Sequence, residues 1–102
     1  MVEAKVVITT VLPRQTTSAR DPAHNIMRKE LARIVKSASW VDGVADFGSD
    51  GEMGPDNAPL NRALYSDGVH PTDGTQGVGE GGQRKLFRVF KPVMDRLASD
   101  VR

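Results

Sequence analysis

Cysteine is absent from the 102 residues, so the sequence forms no disulfide and gives no indication of a redox compartment. An excess of charge of either sign is also lacking. The 14 basic and 13 acidic side chains leave a net charge of +1, which creates no strong field for nucleic acid or a membrane surface. No apolar run approaches the roughly 20 residues of a spanning helix, and the first residues lack the layout of a signal peptide. We therefore expect no nucleic-acid partner and no transmembrane segment, and the localisation stays open.

Apolar residues are scarce in the middle of the chain. Between residues 48 and 85, the valines, leucines, isoleucines and phenylalanines amount to Leu60, Leu64, Val69 and Val78. This third of the chain is not expected to build a core by itself. Length favours one domain, and the uneven composition favours a single partial domain over residues 1–102.

The first half of the chain predicts two strands joined by a helix. Residues 6–12 are typical of a strand buried on both faces, and Pro13 ends the run. Asp21-Pro22 predicts the N-cap and first turn of a helix. A second strand is predicted over residues 40–47, and this spacing indicates a parallel pair with a right-handed crossover. The helix carries one apolar face, made of Ile26, Met27, Leu31, Ile34 and Val35.

A final helix is predicted over residues 83–98, with Pro92 expected to kink it or weaken one turn. Its basic stretch, residues 84–91, suits either a membrane or partner-binding helix or a core-packing helix with a solvated basic face. We favour the second interpretation. Trp40 and the three phenylalanines are more typical of a core than of a ligand platform. The inward side chains of this helix are predicted to be Leu86, Phe90, Val93, Met94 and Leu97.

The most informative chemistry lies in residues 67–72, which read Asp-Gly-Val-His-Pro-Thr. A histidine can take a proton from a serine hydroxyl and return it to a leaving group. A carboxylate on the other ring nitrogen fixes the tautomer and stabilises the imidazolium. Pro71 disfavours a helix at His70, and Asp67-Gly68 indicates a turn that would bring the two side chains together. The alternative is an ordinary surface turn in which Asp67 binds its own backbone.

The surroundings of this turn resemble the C-terminal blocks of the SGNH, or GDSL-type, hydrolase family. Residues 46–55 resemble the family's last core strand and the loop after it, residues 64–72 the block that carries its Asp and His, and residues 6–14 the strand before its penultimate helix. The similarity runs from about Lys5 to Leu97.

This resemblance implies a flavodoxin-like three-layer α/β/α architecture, present as a C-terminal portion with about two parallel strands and two main helices. It also implies a serine ester hydrolase that acts on a small-molecule or carbohydrate ester without a cofactor or metal. Asp67 and His70 would be its catalytic residues.

The nucleophile block of the family has no counterpart in the chain. Gly48-Ser49-Asp50 has the residues of the family's Gly-Asp-Ser block in another order, and Asn25 lies outside a Gly-x-Asn-Asp block. The resemblance therefore implies a serine from upstream sequence or another polypeptide, and we expect the isolated chain to be inactive. Ser66 and Ser49 are the first alternatives to test. The competing hypothesis is a non-catalytic truncated product, or a scaffold or interaction domain.

Two further binding hypotheses remain weaker. Asp67, His70 and Asp73 are too loosely spaced to predict a metal site, and the acidic residues between 46 and 56 fail the EF-hand spacing. Arg14 follows the first strand and is a candidate contact for a substrate anion, although a solvated arginine is the simpler expectation. We also expect self-association, because the first predicted strand would present an uncovered apolar edge.

Overall fold

The chain forms a small α/β domain in the computed structural model, which describes residues 4–74 and 80–100. A two-stranded parallel sheet and two α-helices make up its regular structure, as the sequence predicted. Two 3-10 turns, Phe47–Ser49 and Ala58–Leu60, lie between the second strand and the last helix. The strands and helices are β1 (Val7–Thr9), α1 (Asp21–Ser37), β2 (Gly43–Ala45) and α2 (Gly82–Asp100).

The sheet is shorter than the sequence predicted. Ile8 pairs with Val44 at its centre, and one further bond follows from Thr10 N–H to the Ala45 carbonyl at 3.1 Å. Pairing stops there because β2 ends at Ala45 and the chain turns into a 3-10 helix. Among the described residues β1 pairs with β2 alone, and Val6 before the strand and Val11 after it are 40% and 39% exposed. The prediction that residues 6–12 form a strand buried on both faces is therefore wrong.

Helix α1 turns its polar face inward. Asp21, Asn25 and Arg28 are buried, whereas the apolar face predicted from the sequence is largely exposed. Pro22 lies in the first turn as expected, but the N-cap is Arg20 rather than Asp21. The helix is held by polar contacts with the loops around it, and its apolar face is left available.

The hydrophobic core lies where apolar residues are scarcest. Met53, Ala58, Leu64 and Tyr65 are buried together, and Leu12 and Leu86 pack against them from outside this stretch. The few apolar residues of this stretch thus form a core because Leu12 from before it and Leu86 from after it complete the cluster.

Helix α2 packs across β2 and continues through Pro92. The approach is close: a Cβ at Gly43 would lie 2.8 Å from Val93 Cγ1 and 3.0 Å from Leu97 Cδ1. The prediction that Trp40 and Phe87 lie in the core is wrong, because their side chains are 64% and 56% exposed. Met94, predicted to face inward, is also exposed, whereas Leu97 is buried as predicted.

Candidate active site

The Asp-Gly-Val-His segment forms the tip of a closed hairpin. Tyr65 and Pro71 make an isolated antiparallel bridge. Ser66 N–H donates to the His70 carbonyl at 2.9 Å, and Thr72 N–H donates to the Leu64 carbonyl at 2.9 Å. These bonds leave residues 67–69 as a short tip whose conformation is fixed from both sides.

The base of the hairpin is anchored by two buried side chains. Tyr65 is fully buried, and its hydroxyl donates to the Met53 carbonyl at 2.6 Å. Thr72 is 2% exposed. Its hydroxyl donates to the Ala63 carbonyl at 2.6 Å and accepts from Gly82 N–H at 2.9 Å. The hairpin is thereby joined to the core and to the first residue of α2.

The two candidate catalytic side chains are in direct contact at the tip. Asp67 Oδ2 lies 2.6 Å from His70 Nδ1. Asp67 Oδ1 accepts the backbone N–H of Val69 at 2.9 Å and that of His70 at 2.8 Å. The expected contact between Asp67 and the His70 ring is confirmed. The alternative, a turn in which Asp67 binds the backbone, is present as well, because Oδ2 contacts the ring while Oδ1 accepts the backbone N–H groups.

The hydrogen bonds at the tip also settle the charge of the carboxylate. The backbone N–H of His70, the His70 ring and the backbone N–H of Val69 together hold the pKa of Asp67 well below its ordinary value. Asp67 is therefore ionised at neutral pH. A carboxylate on Nδ1 favours the tautomer that carries the proton there, so that Nε2 can accept one.

The pair is open to solvent and has no nucleophile beside it in the described part of the chain. The side chains of His70 and Asp67 are 75% and 51% exposed. Among residues 4–74 and 80–100, no hydroxyl group is hydrogen-bonded to the His70 ring. The Ser66 hydroxyl instead donates to the His70 carbonyl at 3.4 Å, and Ser49 is a hydrogen-bond partner of Asp46. The arrangement can therefore transfer protons but contains no attacking group of its own.

The tip lies beyond the carboxyl end of β1. Gln15 N–H donates to the Gly68 carbonyl at 3.1 Å. Gly68 has a φ of +85°, and a Cβ there would lie 2.1 Å from the Gln15 carbonyl oxygen. Only glycine suits this position, for both reasons. Ligands bind at the carboxyl ends of parallel strands in open α/β sheets, and the bond from Gln15 sets the tip against the segment that follows β1.

Two residues considered from the sequence have structural partners instead. The Asn25 side chain accepts from Arg14 N–H at 3.0 Å and donates to the Arg14 carbonyl at 2.9 Å, which occupies its amide. Arg14 is not simply solvated: its Nε lies 3.3 Å from Asp21 Oδ1, as an ion contact without hydrogen-bond geometry. The other Asp21 oxygen accepts both the N–H and the hydroxyl of Thr16, at 2.6 and 2.7 Å. These groups fix the segment after β1, next to the tip.

A second polar cluster closes the ends of both strands. Thr10 Oγ1 donates to Asp46 Oδ1 at 2.9 Å and accepts from Gly48 N–H at 2.8 Å, while Lys36 Nζ lies 2.6 Å from Asp46 Oδ2. Burial acts to raise the pKa of Asp46, but hydrogen bonds from Lys36, Ser49 and Thr10 outweigh it and the pKa is lowered. Asp46 thus binds within the fold.

Arg28 is the buried cation that sequence analysis missed. It is 4% exposed and lies on the inward face of α1. Its Nη2 donates to the Gly54 carbonyl at 2.8 Å and to Asp56 Oδ1 at 2.5 Å. The contact ties α1 to the loop after β2. No local spacing could have found it, because Arg28 and Asp56 are 28 positions apart.

The described residues show neither a cluster of metal-binding side chains nor a membrane-spanning helix. They contain no group of three or more histidine, cysteine or acidic side chains gathered as metal ligands. None of their helices is both long and apolar enough to cross a membrane.

Comparison with known proteins gives no match: no family model fits the chain, and no curated protein and no solved structure is similar to it.

Proposed function

We propose that the chain supplies the acid–base half of an SGNH-type serine ester hydrolase. In this proposal residues 1–102 are the C-terminal portion of a flavodoxin-like three-layer domain. The observation that supports it most directly is the contact of 2.6 Å between Asp67 Oδ2 and His70 Nδ1, in a hairpin tip that is bonded to the segment after β1.

The proposed reaction uses both nitrogens of the His70 ring. Asp67 accepts a hydrogen bond from Nδ1–H, so that Nε2 is free to accept the proton of a serine hydroxyl. The serine oxygen then attacks the ester carbonyl. His70 then gives that proton to the alcohol oxygen as the C–O bond breaks. In the second half of the cycle His70 takes a proton from water, the hydroxide cleaves the acyl–serine ester, and the proton returns to the serine. The products are an alcohol and a carboxylic acid, and Asp67 stays ionised throughout.

The nucleophile and the oxyanion donors come from outside residues 1–102 in this proposal. Two candidates within the chain are already bound elsewhere: the Ser66 hydroxyl to the His70 carbonyl, and the Asn25 amide to the backbone of Arg14. The open position of His70, 75% exposed, leaves room for another segment to approach its ring. The substrate class is a small-molecule or carbohydrate ester.

A second candidate function is that of a non-catalytic interaction domain. The specific observation that favours it is the exposed apolar face of α1, which includes Ile26 at 71% and Met27 at 62% exposure. The two functions differ in what they require: the enzyme needs a serine delivered to His70, whereas the interaction domain needs only the helix face.

The test begins with the coding sequence upstream of Met1. An in-frame Gly-Asp-Ser block there supports the enzyme, and a stop codon directly before Met1 opposes it. The longer chain would then be assayed with a short-chain nitrophenyl ester. We expect His70→Ala to lower kcat by on the order of 10³-fold or more, since loss of one triad member disables the unit.

The matched control for this assay is His24→Ala. His24 Nε2 lies 2.9 Å from the Leu12 carbonyl oxygen, and His24 takes no part in the contact between Asp67 and His70. Its variant should keep kcat within a few fold of the unaltered protein. Equal activity of the His70→Ala variant and the unaltered longer chain would refute the proposal.

A further inference from the structure

A cavity of about 430 Å³ lies at the start of α1, between this helix and the segment that follows β1. Its volume is within the range of roughly 300–1,000 Å³ that is typical of ligand pockets. Such pockets are usually lined by apolar side chains, whereas this one is mostly polar. The polar side chains that line it are those of Gln15, Thr16, Ser18, Asp21, Asn25 and Asp56.

The cavity adjoins the hairpin tip that carries Asp67 and His70. Gln15 and Thr16 line it, and both lie against Gly68: Gln15 N–H donates to the Gly68 carbonyl at 3.1 Å, and a Cβ at Gly68 would lie 3.4 Å from Thr16 Cγ2. Gly68 stands between the two candidate catalytic residues in the sequence. A molecule in the cavity would therefore lie beside the tip.

Two buried polar atoms at the wall of the cavity lack a hydrogen-bond partner among the described residues. They are Asp21 Oδ1 and Arg14 Nε, which lie 3.3 Å apart as an ion contact. Backbone and side-chain hydrogen bonds from Thr16 hold the pKa of Asp21 below its ordinary value, so the carboxylate is ionised and Oδ1 is an acceptor. Arg14 Nε–H is a donor. A hydroxyl group is both a donor and an acceptor, so one such group suits both atoms.

The charges around the cavity favour a neutral ligand. The ionised side chains that line it are those of Asp21 and Asp56, which would repel an anion. Each of these carboxylates already has a basic partner. Arg14 lies against Asp21, while Asp56 contacts Arg28 and lies 2.7 Å from Lys29 Nζ. A cationic ligand is therefore not needed to balance them.

We propose that this cavity binds a neutral polyhydroxylated molecule, of the class of sugars and sugar alcohols. One hydroxyl group lies between Asp21 Oδ1 and Arg14 Nε. The Arg14 side chain, which is 42% exposed, moves outward to admit it. In the proposed hydrolase this molecule is the alcohol portion of the ester, and that assignment rests on the proposed function.

The remaining walls offer contacts for the rest of such a molecule. The Gln15 side chain carries both a donor and an acceptor. The Ser18 hydroxyl accepts from Arg20 N–H at 3.1 Å and can still donate its proton. Pro22 and Ile26 also line the cavity and are exposed, so they can pack against the C–H groups of a sugar ring.

The first experiment titrates the labelled chain with glucose, xylose and glycerol and follows its backbone amides by nuclear magnetic resonance. We expect saturable shifts at Gln15, Thr16 and Ser18 with at least one of these neutral probes, and a dissociation constant in the millimolar range. Choline and inorganic phosphate are the charged comparison probes. Both should bind more weakly at these amides, because the cavity is acidic but already balanced by its basic partners.

The second experiment tests the lining directly. Gln15→Leu keeps the approximate size of the side chain and removes its amide, so it should raise the dissociation constant by about three- to tenfold, the contribution of one hydrogen bond. The matched control is Gln83→Leu, the same replacement on α2 and outside this cavity, which should leave the constant unchanged. The dispersion of the amide signals checks that both variants remain folded.

Three results would overturn the proposed site. One is the lack of a saturable shift at these amides with all three neutral probes. The second is tighter binding of choline or phosphate there, and the third is an equal loss of affinity in Gln83→Leu and Gln15→Leu. The titration needs neither a serine nor an ester, so its outcome is independent of the hydrolase proposal. Binding at the cavity in a longer chain that hydrolyses no ester would keep the site and refute its assignment to the alcohol portion.

Discussion

Replacing Tyr65 with phenylalanine removes one oxygen atom from the anchor of the hairpin that carries Asp67 and His70. The hydroxyl donates to the Met53 carbonyl at 2.6 Å, and both residues are fully buried. Without it the carbonyl loses its partner in a place that water does not reach. An unsatisfied buried polar group costs about 1–3 kcal/mol. We therefore expect Tyr65→Phe to lower the melting temperature by roughly 5–20 °C, at ~4–8 °C per kcal/mol for a domain of this size.

The same residue provides a direct optical test of its own burial. Burial raises the pKa of Tyr65 from the ordinary 10.0 to about 12, an effect that nearby Arg28 opposes and Asp50 reinforces. The chain has only one tyrosine, so the ultraviolet absorbance of tyrosinate reports this residue alone. The folded protein should titrate near pH 12, and the chain unfolded in urea near pH 10.

The sign of the pH effect follows from the raised pKa. The neutral phenol is favoured in the folded state, so its contribution to stability is complete below pH 10 and is lost as the pH rises toward 12. A pKa raised from 10.0 to about 12 corresponds to about 3 kcal/mol. The stability difference between the unaltered chain and Tyr65→Phe should shrink by about that amount across this window. A folded chain whose tyrosine titrates near pH 10, with unchanged stability in Tyr65→Phe, would refute the burial and the anchoring together.

Three other perturbations address the tip and the reaction. The carboxyl carbon of Asp67 should titrate, by nuclear magnetic resonance, well below its ordinary pKa of 3.8, so the stabilisation it gives is present above that pH and lost only in strong acid; a midpoint near 3.8 would contradict the hydrogen bonds at the tip. Gly68→Ala should cost at least about 2 kcal/mol in denaturant unfolding, because of its positive φ and the crowded Gln15 carbonyl. Gly51→Ala, with open space around it, is the control and should be nearly neutral. The chain of residues 1–102 alone should hydrolyse a short-chain nitrophenyl ester no faster than its His70→Ala variant, since no hydroxyl group among the described residues is hydrogen-bonded to the His70 ring; a rate that collapses in that variant would mean that a nucleophile lies within these residues.

The sequence predicted well those features that depend on neighbouring residues. The order of strands and helices follows local periodicity, and the contact between Asp67 and His70 follows from a turn of four residues closed by Pro71. In both cases the interacting groups are close along the chain, so a short stretch of sequence contains the relevant physics. The role of this pair in catalysis stays a prediction, as does the extent of the partial domain.

The sequence predicted poorly those features that depend on distant partners. The sequence places the large apolar side chains of α1 on one face, yet the buried face of the helix is the polar one, because Asn25 and Arg28 bind partners 11 and 26 positions away along the chain. Trp40 and Phe87 were expected in the core because of their residue type, and packing left both exposed. Burial is set by what surrounds a residue in three dimensions, and hydrophobicity alone does not specify it.

Under the proposed function, the hairpin tip has a consequence for how the catalytic groups are assembled. The hydrogen bonds that Asp67 makes to the ring of His70 and to the backbone of Val69 and His70 all lie within residues 67–70, and the hairpin that carries them is anchored to the core by Tyr65 and Thr72. The loss of rotational freedom needed to align them is therefore met in advance by local folding. An incoming serine hydroxyl then has to be positioned only against His70 Nε2, because His70 and Asp67 are already aligned with each other. In the proposed hydrolase, these four consecutive residues would set the proton transfer, and the segment that delivers the serine hydroxyl would set the substrate.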